Sequence, residues 1–296
     1  MVLESVNPGP VIWLTACVHG DEIGSIVVIQ EIFKKIKKRG LLKGTVYAFP
    51  LMNPLGFELS SRHITLSEED LNRSFPGNNE GSLAERIAEK VFSTVMQTKP
   101  DLVLDLHNDW RKSIPYALID PCPNTTNKEV YENTKILCRK TEFPVILDTD
   151  DVEKTFTYNL LKKNIPALTL ELGESDVVNE KDVDTGVKSV WNILAHMKIV
   201  EPLEKPFNYE IPEEVKGKIL RYSQKPFSHT SGIIRFLVKP EDIVKKGEPI
   251  ARIYNAFGKI LETLNAENDG IVLGYSDYSA AYPGASIMAF GVLKED

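Results

Sequence analysis

VIWLTACVHGDEIGSIVVIQEIFKKIKKRG spans residues 11–40, and its reading decides the fold class. The first eight residues, VIWLTACV (11–18), form a continuous apolar run, the pattern of a strand covered on both faces. From Glu22 to Lys38 the spacing becomes helical, with Ile23, Ile26, Val27, Ile29, Ile32, Phe33 and Ile36 as the apolar side. Lys34, Lys35, Lys37 and Lys38 crowd the last turns, where the helix dipole favours cations, and Gly40 ends the run. A buried strand that feeds an amphipathic helix is the repeating unit of a layered α/β fold.

The alternation continues along the chain. TVYAFPLMN (45–53), DLVLDLH (101–107), FPVILD (143–148) and IPALTLELG (165–173) read as strands. Helical stretches lie between and after them: SLAERIAEKVFSTVMQ (82–97), EVYENTKILCRK (129–140), a segment before residue 165, and VDTGVKSVWNILAHMK (183–198). Ser82 and Glu85 have the spacing of a capping box. The prediction for residues 1–200 is an α/β domain with a mixed, largely parallel sheet and helices on both faces. EPLEKPFNYEIPEEVKGK (201–218), with Pro202, Pro206 and Pro212, reads as a linker or edge segment. Short runs such as ILRYS, GIIRFLV, PIARIYN and SIMAFGVL then predict a small all-β C-terminal domain within 201–296.

Composition excludes several classes. Of 296 residues, 42% are apolar and 26% charged, which rules out a disordered chain or a long coiled coil. The 42 acidic residues outnumber the 35 basic ones, for a net charge of −7, so no long-range attraction to nucleic acid or anionic lipid is expected. No window of 18 apolar residues occurs, and MVLESVNPGP lacks the pattern of a secretory leader. Cys17, Cys122 and Cys138 are odd in number and match no zinc-knuckle spacing. The expectation is a reduced, cytoplasmic protein with a small-molecule partner, and a homo-oligomer is left open.

Three strand ends carry chemistry. His19 follows VIWLTACV, and Glu22 opens the next helix, so imidazole and carboxylate can converge on one ion. A surface histidine and a helix-opening acid would give the same pattern. His107 ends DLVLDLH in the same way, and open parallel sheets place ligands at the carboxyl ends of their strands. Asp105, two residues earlier, points to the same side and can hold a ring nitrogen or pair within the core. Glu171 ends ALTLE, where a carboxylate is costly unless paired or functional. As a general base it would take a proton from water, and Glu174 is a weaker candidate for that role. In DLNRSFPG (70–77), Asn72 and Arg73 suit a substrate carboxylate, and Arg62 suits a developing oxyanion.

The ordered set HGDE (19–22), DLNRSFPG (70–77), DLH (105–107) and ELG (171–173) resembles the succinylglutamate desuccinylase/aspartoacylase family, a branch of the zinc carboxypeptidase fold. The resemblance implies a zinc-dependent deacylase of small N-acyl amino acids, with one Zn2+ per chain held by His19, Glu22 and His107. It implies Glu171 as general base and acid, Arg62 at the oxyanion, and Asn72 and Arg73 on the substrate carboxylate. It implies also that the β-rich C-terminal domain caps the cleft and lends a tyrosine, with Tyr275, Tyr278 and Tyr282 as candidates. Family members that read an acidic acyl chain place an arginine shortly before the catalytic Glu, and Leu161 stands near that position here. Arg111 or Lys162 would have to substitute for it.

Two other readings remain, beside a non-catalytic, metal-free binding protein in which all four motifs would be vestigial. A metallocarboxypeptidase acting on short peptides would use the same metal set. The stretch 232–274 is also similar to biotinyl and lipoyl carrier domains, with Lys259 near the modified position, although the residues flanking it lack the carrier motif.

Overall fold

The computed structural model describes residues 1–148, 152–275 and 278–293. In the first 200 residues the elements are β1 (Val2–Glu4), β2 (Val11–Ala16), α1 (Ile23–Arg39), β3 (Thr45–Phe49), α2 (Pro54–Phe57), α3 (Leu83–Gln97), β4 (Leu102–His107), β5 (Lys112–Ser113), β6 (Tyr116–Ile119), α4 (Lys128–Lys140), β7 (Val145–Leu147), α5 (Phe156–Leu161), β8 (Ala167–Glu171) and α6 (Glu180–His196). The remainder is strand: β9 (Ile219–Ser223), β10 (Gly232–Phe236), β11 (Ile243–Val244), β12 (Pro249–Tyr254), β13 (Ile260–Asn265), β14 (Gly270–Tyr275), β15 (Ala280–Ala281) and β16 (Met288–Val292).

The main sheet runs β1-β3-β2-β4-β8-β6-β7-β9-β16-β14-β11, with β5 paired to β14. Strands β3, β2, β4 and β8 are parallel. β6 then runs antiparallel to β8, and β7 and β9 follow it in parallel. A second sheet, β13-β12-β10-β15, is hydrogen-bonded separately and shares a hydrophobic core with β14 and β16 of the main one. Hydrogen bonding of the main sheet therefore crosses residue 200, because β9, β16, β14 and β11 extend it. Strand β6 has no counterpart in the sequence reading. It is four residues long and follows Pro115, too short to show a period.

Alternation along each strand sorts its residues between two cores. Ile12, Leu14 and Ala16 of β2, with Leu102, Leu104 and Leu106 of β4, pack under α1, α4 and α6. Trp13 and Val103 face the other way, under α3 and α5, together with Ala167. Full burial of each such aliphatic side chain stabilises the fold by roughly 1.5–3 kcal/mol. By the same alternation, Thr15, Asp105, His107, Thr169 and Glu171 belong to the α3/α5 face. That single face carries the polar residues.

Local signals hold these elements. Ser82 and Glu85 form the capping box at α3, each side chain accepting the other's backbone N–H. The lysine-rich end expected of α1 carries Lys37, Lys38 and Arg39 in its last turn, and the Gly40 N–H donates to the Ile36 carbonyl. Among the described residues no helix is long and apolar enough to cross a membrane.

Candidate metal and substrate site

The strand register brings the site together. His107 and Glu171 are Cα partners across β4 and β8, and Tyr116 is the partner of Glu171 across β6. Three side chains from three neighbouring strands thus meet on one line. His19 reaches the same end of the sheet through a turn in which Cys17 takes φ 54°. At Gly20 an added Cβ would fall 2.0 Å from the Gly56 carbonyl carbon, so the turn admits no side chain there. Glu22 sits at the N-cap of α1, where the dipole favours a carboxylate.

His19, Glu22 and His107 are buried and form a candidate metal cluster, their ligand atoms all within 4.8 Å of one another. His19 Nδ1 lies 2.5 Å from Glu22 Oε1, and His107 Nδ1 lies 3.0 Å from Glu22 Oε2. The second contact lacks hydrogen-bond geometry, and Glu22 Oε2 is left without a partner. The opposite ring nitrogens face other acids. His107 Nε2 donates to Asp105 Oδ2 at 3.0 Å, and His19 Nε2 lies 3.3 Å from Asp70 Oδ1. Two imidazoles, each backed by a carboxylate and each turning Nδ1 toward a third carboxylate, form a donor set that fits a divalent cation. Burial pushes the Glu22 carboxyl up, but His107 and His19 outweigh it and hold it below its ordinary value.

The backing acids are themselves fixed. Thr15 Oγ1 donates to Asp105 Oδ1 at 2.6 Å. Asp70 accepts from the Asn72 N–H at 2.8 Å and from Arg62 Nη2 at 3.0 Å. Its carboxyl stays well below the usual range. Burial opposes this, but His19 and the guanidinium of Arg62 win. Sequence reasoning quoted the DLNR stretch and passed over Asp70. Its only sequence signal is an aspartate opening a short turn, which reads as an ordinary cap.

Glu171 is 8% exposed, and its Oε2 has no hydrogen-bond partner. Burial pushes its carboxyl well above the ordinary value. Asp109 and Glu22 push the same way, against His107 and Arg62. Glu174 instead bonds Lys112 at 2.6 Å and the Asn179 amide, and it does not line the cavity.

A cavity of about 350 Å³ extends from His19, Glu22, His107 and Glu171 along the sheet face. That is the small end of the ~300–1,000 Å³ typical of ligand sites. Tyr116, Leu118 and Asp120 line it from β6 and the residue beyond, facing Thr169 on β8. Thr155 and Thr157 line it from the start of α5, and Arg62, Asn72 and Arg73 also border it. Arg62 is exposed and lies 3.4 Å from His19 Nδ1 through Nη1. Asn72 Oδ1 accepts from the Phe156 N–H at 3.0 Å, which leaves the Nδ2 amide to face a ligand. Arg73 Nη1 donates to the Asn72 carbonyl at 3.0 Å.

The C-terminal tyrosines named from sequence stand elsewhere. Tyr275 stacks on Phe236, Tyr278 has the Arg111 guanidinium over its ring, and Tyr282 is exposed. The C-terminal residues that do line the cavity are Tyr222 and Gln224, at β9, whose side chains hydrogen-bond each other at 3.0 Å. Arg111 bonds Asp176, Lys162 lies over Tyr158, and Leu161 is fully buried, so none of the three borders the cavity. Lys259 is exposed in the β12–β13 turn.

Asp120 was also missed from sequence. It is 5% exposed, its Oδ2 has no partner, and burial pushes its carboxyl up to about 7 against the pull of Thr157. The folded protein keeps the proton from about pH 4 to about pH 7, while the unfolded chain, with an ordinary aspartate near 3.9, releases it. Stability therefore falls as pH rises across that window. Melting curves should show the Tm of Asp120→Asn, relative to wild type, increasing from pH 4 to 7 and levelling above. A pH-independent offset would refute this.

The profile of the succinylglutamate desuccinylase/aspartoacylase catalytic domain matches residues 8–197. The chain belongs to this family. Members of the succinylglutamate desuccinylase/aspartoacylase family are deacylating amidohydrolases. A relative is the N-alpha-acetyl-L-2,4-diaminobutyric acid deacetylase of Halomonas elongata, 27% identical over 270 residues that cover 89% of this chain and 77% of the relative. The product-bound ectoine utilization protein EutE (DoeB) of Ruegeria pomeroyi has the same fold, with TM-score 0.83 at 21% identity over 99% of this chain and 88% of that one. A metallo-carboxypeptidase of Burkholderia cenocepacia shares the fold more distantly, with TM-score 0.56 at 16% identity over 66% of this chain and 59% of that one. The α/β fold with a β-rich C-terminal region is thus the one expected from the sequence.

Proposed function

We propose that the protein is a zinc-dependent amidohydrolase that removes the acyl group from a small N-acyl amino acid. One observation carries the proposal: two histidine Nδ1 atoms converge on the Glu22 carboxylate beside the unpaired Glu171 carboxylate, at one end of a small cavity. In this reading His19, Glu22 and His107 hold one zinc per chain. When bound, the metal supplies a Lewis acid that polarises the amide carbonyl and acidifies water. Asn72 and Arg73 hold the substrate carboxylate and so orient the amide toward Glu171. Glu171 takes a proton from the attacking water. Arg62 donates to the carbonyl oxygen as negative charge builds there. The C–N bond breaks as Glu171 returns the proton to the departing amine, so its raised affinity for a proton suits both steps. Residues 1–200 form the catalytic unit in this reading, and 201–296 cap it, lending Tyr222 and Gln224 to the cavity wall. A cytoplasmic location accords with the three free cysteines.

The test is a substrate panel with metal analysis. About one zinc per chain is expected, with hydrolysis of N-acetyl amino acids, N-alpha-acetyl-L-2,4-diaminobutyric acid among them, and none of tri- or tetrapeptides. Cleavage of the peptides would move the assignment to a carboxypeptidase, and absence of any amide hydrolysis would remove it.

A further inference from the structure

The cavity has a second polar end that the deacylation steps leave unused. β6 and β7 are parallel with Ile119 opposite Leu147, and Asp120 and Asp148 are the next residue on each strand. The Asp148 N–H donates to the Ile119 carbonyl at 3.0 Å, which locks the two strand ends side by side. Both acids line the cavity. Asp120 is 95% buried by its 5% exposure, has a hydroxyl partner in Thr157, and leaves Oδ2 unpaired.

A structural role accounts poorly for this arrangement. Buried carboxylates in a finished core satisfy both oxygens, because an unpaired one forfeits its hydration without return. The unpaired atom here borders a polar cavity, beside a second acid. Arg73 is close enough to act on the Asp120 charge. The proposed carboxylate site is therefore adjacent to the acid pair, and an ammonium arriving beside Asp120 would favour the ionised carboxylate that burial otherwise holds protonated up to about pH 7. An anionic side chain would be repelled from this end, in keeping with the absence of an arginine at position 161.

We propose that Asp120, assisted by Asp148, binds a side-chain ammonium, so that the substrates are short N-acyl diamino acids. The proposal rests on the deacylase reading for the word substrate, but the ammonium site itself does not depend on hydrolysis. A primary amine fits better than a second metal, because among the described residues no third His, Cys, Asp or Glu joins the two carboxylates in a ligand cluster, and an ammonium has three donors to share.

The experiment pairs isosteres that differ only at the side-chain tip. N-alpha-acetyl-L-2,4-diaminobutyrate and N-acetyl-L-norvaline are compared by kcat/KM, with the protein loaded with one equivalent of zinc. Free L-2,4-diaminobutyrate and L-norvaline are compared by calorimetry. We expect the amine to be favoured at least about 100-fold in kcat/KM and at least about 10-fold in binding, the scale of a charged hydrogen bond in a closed site. In Asp120→Asn both ratios should fall toward 1, and N-acetyl-L-aspartate should be the poorest substrate of wild type. Selective amine binding without hydrolysis would sustain this site and refute the deacylase reading. Hydrolysis of both isosteres at equal rates would do the reverse. Equal binding of the two amino acids by wild type overturns the proposal whether or not the variant folds. So does a second zinc per chain that Asp120→Asn abolishes.

Discussion

Glu171→Gln should retain one zinc per chain and lose at least about 100-fold in kcat, the contribution of a positioned general base. The amide has the shape of the carboxylate but accepts no proton. Because Glu171 stands outside the cluster of His19, Glu22 and His107, metal content should not change. KM should change little, since the residues assigned to the substrate carboxylate are Asn72 and Arg73. The pH profile gives a second readout. Burial raises the affinity of Glu171 for a proton, and a base must be ionised before it acts, so wild-type kcat/KM should fall as pH is lowered through its titration. The residual activity of the variant should lack that limb. Near-wild-type turnover in Glu171→Gln would falsify the assignment, and loss of zinc would make Glu171 a ligand instead.

His107→Ala should reduce zinc from about one per chain to below about a tenth, and abolish hydrolysis with it. Three protein ligands are needed for a catalytic site, and two that remain leave a weak one. Elemental analysis after dialysis reads this directly. The acid behind the ligand gives a graded control. Asp105→Asn keeps the Nδ1 donor but weakens the carboxylate that orients the ring, so affinity should fall about 10–100-fold, as is usual for such partners. Zinc should also raise the Tm of wild type and leave that of His107→Ala unmoved, because only a folded protein with the intact triad gains from binding. Full zinc retention in His107→Ala would place the metal elsewhere.

Much of the candidate site was legible because it hangs on local grammar. His19, His107 and Glu171 each stand at the end of an apolar run that reads as a buried strand, and the register of β4 with β8 pairs the last two. The residues that escaped are those whose meaning is a distance. Asp70 reads as a turn cap, and its second role depends on a histidine 51 positions earlier reaching it at 3.3 Å. Asp120 reads as the polar end of a short strand, and only the antiparallel insertion of β6 beside β8 turns it into the cavity. Tyr222 shows the same limit. The sequence offered Tyr275, Tyr278 and Tyr282, yet β9 joins β7 and carries Tyr222 to the site.

The sequence by itself determined the strand–helix alternation, the α3 capping box, the β-rich last third and the ordered motifs of the family. These follow from hydrophobic period and local hydrogen bonding, which act within a few residues. The tertiary structure alone decided that the main sheet runs past residue 200, which acids stand behind the histidines, and where the cavity carries its second pair of carboxylates. Strand pairing and the burial of a charge depend on partners far apart in the chain, and no local pattern encodes which of them will meet.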